Sequence, residues 1–141
     1  ITTDVIAGFS GETEQDHKDT LSLMEQVVFD SAFMFAYSER PGTLASRRYP
    51  DDIPYSLKTE RLNEIIALQG RMSLKSNEKE VGRILKVLVE GPSKKNPDEL
   101  CGRASSNKMC VFPSRGEKPG DYCEVEVVSV TSATLLCKRI D

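Results

Sequence analysis

Two short apolar runs, each broken by glycine and each leading towards a helical pattern, constrain this chain more than any other feature. The first is Thr3-Asp4-Val5-Ile6-Ala7-Gly8-Phe9, which breaks into Ser10-Gly11-Glu12-Thr13. The second is Ser31-Ala32-Phe33-Met34-Phe35-Ala36-Tyr37, which breaks into Arg40-Pro41-Gly42-Thr43. A short continuous apolar run reads as a parallel strand buried on both faces. Between them, Thr13 and Asp16 fit a capping box with Asp in place of the usual Glu. His17, Leu21, Met24 and Val28 then recur at helical spacing, which predicts a helix over 14–27. The result is a β-α-β unit with a right-handed crossover. In β/α architectures the strand C-terminal ends and the loops after them build the active site. Glu12, Thr13, Arg40 and Thr43 are therefore expected on half of an active-site rim.

Asp51-Asp52 and Pro54 mark the start of a second helix, expected to run to about Asn77. Leu57, Arg61, Ile65, Leu68 and Met72 form its stripe, widened by Leu62, Ile66 and Gln69. Two parallel strands and two helices cannot cover one another, so this segment is expected to be the tail of a larger β/α barrel or sheet. The chain opens directly on a strand, with neither a signal peptide nor an initiator methionine, as a piece of something longer would. No window of 18 uncharged apolar residues occurs, so no membrane span is expected.

The pattern changes after Gly82. Ile84–Glu90, Leu100–Arg103, Met109–Phe112, Cys123–Val127 and Thr134–Ile140 read as five short strands separated by turn-rich loops. That spacing predicts a small β-barrel of the OB-like kind. The fold class is thus α/β plus all-β, with a boundary between residues 1–78 and 79–141. Charge divides at the same place. Residues 1–78 hold 8 Lys and Arg against 13 Asp and Glu, whereas residues 79–141 hold 11 against 9. The second segment is the better candidate for a polyanion. Its four cysteines, Cys101, Cys110, Cys123 and Cys137, lack the close-spaced pairs of a structural zinc site. They are expected to be reduced and packed as small apolar residues.

Several residues have both a chemical and a plain reading. His17, the one histidine, sits in a predicted helix without a visible partner, so no general-base role is assigned to it. Glu12 and Thr13 serve equally as a helix cap, although a Gly-rich turn before a helix also offers free N–H groups to a ligand. Gly8 lets the backbone approach whatever lies at the strand end. Arg40-Pro41-Gly42-Thr43 is a turn by composition, yet an arginine directly after a buried strand suits a carboxylate or phosphate. Lys94, Lys95, Arg103, Lys108 and Arg115 fall in loops or at strand ends. They are either solvated charge or, around one hairpin with Asn107 nearby, phosphate contacts. Phe112 fits either a base stack or the core, and the core is its expected place.

Taken together these motifs resemble a known family. Thr3–Thr13 is similar to the T-D-I-I-V-G-F-P-G-E-T segment of radical S-adenosylmethionine methylthiotransferases. Tyr37–Thr43 is similar to their Y-S-x-R-P-G-T segment. Val87–Lys95, followed by Gly102-Arg103 and Asn107, resembles the TRAM domain of the MiaB-type tRNA methylthiotransferases. Ser10 and Leu44 stand where the family has proline, and Ala104 where it has threonine. The family's CxxxCxxC lies upstream of the matching region and is not in this chain. The resemblance implies the last units of a partial radical SAM barrel over 1–78 and a five-stranded TRAM barrel over 79–141. It implies a cytoplasmic enzyme that converts N6-(dimethylallyl)adenosine beside the anticodon to its 2-methylthio derivative, using S-adenosylmethionine and two 4Fe–4S clusters whose ligands lie elsewhere. This chain alone is expected to be inactive. Ile6, Gly8 and Arg40 are the expected cofactor residues. Lys94, Lys95, Arg103, Asn107 and Lys108 are the expected contacts to the tRNA anticodon arm. Two alternatives stay open: a methylthiotransferase for a ribosomal protein or another adenosine, and an RNA-binding module without catalysis.

Overall fold

Strands β1 (Thr2–Ala7) and β2 (Ser31–Ala36) lie parallel in the computed structural model, which describes residues 1–140. Thr2 pairs with Ser31 and Ala7 with Ala36. Helix α1 (Glu14–Val27) joins them, and its capping box is complete. The Thr13 hydroxyl accepts from the Asp16 N–H at 3.2 Å, and the Asp16 carboxylate accepts from the Thr13 N–H at 2.8 Å. Hydrogen bonds from Thr13 hold the Asp16 carboxyl below the ordinary 3.8, the Thr13 side chain contributing most. A short helix, α2 (Leu44–Arg48), follows with Thr43 as its cap, and a long one, α3 (Tyr55–Glu78), follows that. The sequence pattern does not announce α2, whose five residues are too few to show a period.

The sequence reads the two strands as doubly apolar and this chain's own helices as too few to cover both faces, and in the structure one face is covered while the other is open. Val5, Ala7 and Met34 pack with Met24 of α1 and Ile65 and Leu68 of α3. The alternate residues, Asp4, Ile6, Phe33 and Phe35, face away from that core. Ile6, Phe33 and Phe35 are 55%, 66% and 55% exposed. Side chains alternate along a strand, so helices on one side cover only every second residue.

The remaining strands are β3 (Ile84–Pro92), β4 (Glu99–Ala104), β5 (Met109–Pro113), β6 (Tyr122–Val130) and β7 (Leu135–Arg139). They close into a barrel in the order β3-β4-β5-β7-β6, parallel only between β5 and β7. This is the five-stranded barrel that the spacing predicts. Its core is Val87, Val89, Leu100, Phe112, Val125, Val127 and Leu135 with Cys110, Cys123 and Cys137 among them. All four cysteines are free thiols, and Phe112 is 1% exposed, in the core and not on a stacking surface. A hydrogen bond to Cys110 and burial push the Cys137 thiol well up. Gly102 is required by the barrel's tightness, because a Cβ there would lie 2.2 Å from the Leu88 carbonyl oxygen.

The chain divides into compact units Ile1–Ser73 and Leu74–Asp141, and the division falls within α3. In the second unit the Asn77 amide donates to the Thr131 carbonyl at 2.8 Å. No helix among the described residues is long and apolar enough to cross a membrane.

Candidate functional site

Two places in the molecule could carry function, one in each unit. In the first unit a pocket of about 600 Å³ opens at the C-terminal ends of β1 and β2. Asp4, Ile6 and Phe35 line it from the sheet, and Tyr37, Ser38, Arg40 and Thr43 line it from the loop after β2. Ile6 and Arg40 both line this pocket. The Arg40 side chain is exposed and has no hydrogen-bond partner among the described residues. Its backbone carbonyl accepts from the Thr43 hydroxyl at 2.8 Å, and Thr43 in turn caps α2. An apolar sheet face beside an unpaired guanidinium is chemically suited to a flat base attached to an anionic group.

Gly8 is not among the residues that line the pocket. Its φ is +76°, and a Cβ there would lie 2.4 Å from Lys58 Cγ. The close approach that glycine permits is to the stem of Lys58. The Gly8 N–H is also taken, donating to Glu12 Oε2 at 2.9 Å. Glu12 turns inward and does not line the pocket; its other oxygen accepts from Arg61 at 2.8 Å. Arg61 is 4% exposed and also donates to the Glu12 carbonyl at 3.0 Å. Thr13 is the cap of α1. Of the four expected rim residues, Arg40 and Thr43 line the pocket, while Glu12 and Thr13 build the loop behind it.

Neither Lys58 nor the pairing of Glu12 with Arg61 stands out in the sequence. The available signal is Arg61 itself, a charged residue inside an apolar stripe. His17, expected to be partnerless, is 3% exposed with Nε2 2.9 Å from Glu64 Oε2. Its partner is 47 residues away, beyond the reach of local pattern.

The barrel separates the residues expected around one hairpin. Lys94 and Lys95 lie in the β3–β4 loop, whereas Asn107 lies in the β4–β5 turn at the far end of β4. Six extended residues put about 17 Å between those ends. Lys94 and Lys95 instead share their end of the barrel with the β5–β6 loop, which carries Arg115 and Lys118. The Ser114 N–H donates to the Asp98 carbonyl at 3.0 Å, tying those two loops together. None of these four side chains has a polar partner among the described residues. Arg103 is half-exposed and bonds Glu90 at 3.0 Å and the Asn107 carbonyl at 3.0 Å. Asn107 adopts a left-handed conformation at φ +66°, which closes the turn. Lys108 faces away from solvent. Its ammonium donates to the Ser76 carbonyl and hydroxyl at 3.0 and 2.9 Å, with Glu80 at 3.7 Å. The alternation that sends Arg103 outward brings Lys108 against the last turn of α3.

No group of three or more His, Cys, Asp or Glu among the described residues could hold a metal ion.

A closed barrel of short strands with cationic loops is the setting in which small nucleic-acid-binding modules are built. Residues 78–138 match the family described as the TRAM domain. Beyond the barrel, the chain is similar through both units to the C-terminal part of tRNA-2-methylthio-N(6)-dimethylallyladenosine synthases. It is 52% identical to that of Amoebophilus asiaticus over 96% of this chain and 28% of the relative. It is 49% identical to that of Phocaeicola vulgatus over 96% of this chain and 30% of the relative. With that of Porphyromonas gingivalis the identity is 48% over 100% of this chain and 30% of the relative. The chain thus spans somewhat under a third of the length of the curated relatives it matches. The solved apo form of Mycoplasma genitalium RNase R aligns with 69% of this chain and 21% of its own at a TM-score of 0.32 and 11% identity. So distant a likeness carries no argument.

Proposed function

We propose that this chain is the C-terminal part of a tRNA methylthiotransferase that makes 2-methylthio-N6-dimethylallyladenosine. Identity near one half that runs through the pocket-bearing unit and the barrel alike is the observation that carries the reading. Residues 1–78 then complete a radical SAM domain, and residues 79–141 grip the tRNA anticodon arm of a cytoplasmic substrate. S-adenosylmethionine, when bound, supplies the methyl group and the radical chemistry, and two 4Fe–4S clusters are held by the rest of the protein. The donor set supports a part in binding that cofactor: Ile6 and Phe35 offer an apolar surface for adenine, and Arg40 a cation for its carboxylate. Gly8 shapes the loop and lies behind the pocket. On this reading the chain's share of the reaction is binding and orientation.

On the barrel, Lys94 and Lys95 are the first candidates for phosphate contacts, with Arg115 and Lys118 beside them. Lysine contacts to phosphate position RNA without reading bases. Replacing Lys94 and Lys95 by alanine should weaken binding alike across tRNA sequences. Each lost contact should lower the salt slope by about 0.7–0.9. Lys108→Ala should act through stability, because its ammonium is engaged with Ser76.

The decisive test uses a strain that accumulates N6-dimethylallyladenosine for want of the methylthiotransferase. It is complemented with the full-length protein, and its tRNA nucleosides are measured by mass spectrometry. Appearance of the 2-methylthio derivative is expected. Unchanged N6-dimethylallyladenosine alongside a methylthio group on a ribosomal protein or another adenosine would transfer the activity to that substrate.

A further inference from the structure

Lys58 is 4% exposed, an unusual place for an ammonium. Its Nζ lies 2.5 and 2.7 Å from the two Asp51 oxygens. It also donates to the Tyr37 carbonyl at 3.3 Å and sits 5.0 Å from the centre of the Tyr37 ring. Its stem fills the space left by the missing side chain of Gly8. Gly8 follows β1 directly and Tyr37 follows β2 directly. The Tyr37 N–H meanwhile donates to the Ala7 carbonyl at 2.8 Å, so the two strand ends are already neighbours. One side chain thus touches the first residue of both loops.

A buried lysine such as this one, whose head from α3 reaches the strand ends, can also serve as a base or a nucleophile. The geometry does not favour that here. The three donors of an ammonium are matched by two carboxylate oxygens and one carbonyl, and Lys58 is not among the residues that line the pocket. It reaches a ligand only through Tyr37, which does line the pocket.

We propose that Lys58 is a positioning residue, which ties the ends of β1 and β2 into one floor and so fixes the Tyr37–Thr43 loop before a ligand enters. The inference rests on the cofactor reading above. Asp51 neutralises the strut, and Glu12 and Arg61 hold the other side of the β1 loop in the same way. Rigid support of this kind keeps a site within the small tolerance that binding needs.

The test uses the full-length enzyme and has two readouts besides turnover. These are the dissociation constant for S-adenosylmethionine and hydrogen exchange of the 37–43 amides. Lys58→Met keeps the stem against Gly8 and removes the charge. It should raise the dissociation constant about tenfold, the equivalent of one lost charged hydrogen bond, and speed exchange in the loop. It also orphans Asp51, so the variant Lys58→Met with Asp51→Asn is the informative one. That double variant should recover thermal stability while both the weak binding and the fast exchange persist. Wild-type affinity and exchange in a folded double variant would overturn the proposal. Ile6→Asp alters the pocket without touching the strut. If it weakens binding and the double variant does not, the strut alone falls. If Ile6→Asp leaves binding unchanged, the pocket reading falls and takes the proposal with it.

Discussion

The two units solve the same problem, a small β-sheet with too little cover, in opposite ways. The barrel closes β3 through β7 on themselves, so every strand has two neighbours and the core is apolar throughout. The first unit leaves β1 and β2 with a single neighbour each, covers one face with helices, and leaves Phe33 and Phe35 exposed. The barrel pairs charges both on its surface, as Lys138 with Glu126, and under cover, as Arg139 with Glu117 and Lys108 with Glu80. In the first unit Lys58 and Arg61 are buried against Asp51 and Glu12. Closure stabilises through hydrophobic burial, which has no preferred direction. In the open unit the buried directional contacts also fix two loops, and those loops carry the pocket.

Two substitutions, one in each unit, should separate the two strategies most sharply. Phe112→Ala removes the biggest buried side chain of the barrel and should cost about 3–5 kcal/mol. Glu12→Ala takes the nearest carboxylate from the buried Arg61 guanidinium, leaving it the position-12 carbonyl and Glu14 at 3.6 Å, and should cost up to about 3–5 kcal/mol. Hydrogen exchange resolved by residue is the measurement, since each unit has its own core. Faster exchange confined to residues 74–140 for Phe112→Ala, and to residues 1–73 for Glu12→Ala, would sustain the contrast. Uniform loss in both would mean one cooperative unit.

Gly102→Ala comes next. Its new Cβ meets backbone, not a movable side chain, and the strands would have to part. A loss of about 1–3 kcal/mol is expected from overpacking, read from denaturant melts. A neutral outcome would show the barrel looser than its closure implies.

A smaller effect sharpens the other side. Thr13→Ala removes the α1 cap and should cost about 1 kcal/mol. The Asp16 half of that cap depends on pH. Its carboxyl is held lower in the folded chain than in the unfolded one, so its contribution is complete above the unfolded value. It is lost as pH falls through the folded value, in the acid range below 3.8. Asp16→Asn should flatten that part of the pH profile of first-unit stability. A profile unchanged by Asp16→Asn would assign the acid loss to other carboxylates.

The smallest change in stability is expected from Phe33→Ser with Phe35→Ser, because both rings are exposed already. The same variant should strongly reduce binding of a hydrophobic dye. Dye binding that survives it would put the exposed apolar surface elsewhere.

Much of the fold is readable from local pattern. The capping residues Thr13 and Asp16 mark the start of α1, and five short runs mark the barrel strands to within two residues, except at the C-terminal end of β6, which continues to Val130. Position at the strand ends places Arg40 and Thr43 on one pocket with Ile6. The rest depends on partners distant in the chain. Glu12 reads as a cap or a rim residue because Arg61 lies 49 positions away. Lys108 reads like its neighbours, and only the pleat turns it towards Ser76. Lys94 and Asn107 read as one cluster because sequence distance hides the length of the strand between them. Charge count alone does not say which cations are already engaged.

The fit of the Lys58 stem against Gly8 has a consequence for how such chains can drift over generations. Fifty residues apart, positions 8 and 58 share one space and are expected to vary as a single locus. A side chain at position 8 is tolerable only if the stem at 58 shortens, and a shortened stem strands Asp51. Each step by itself lowers fitness, so the three residues should change together or stay as they are. Relatives that carry anything but glycine at position 8 are expected to have lost both the lysine and the aspartate.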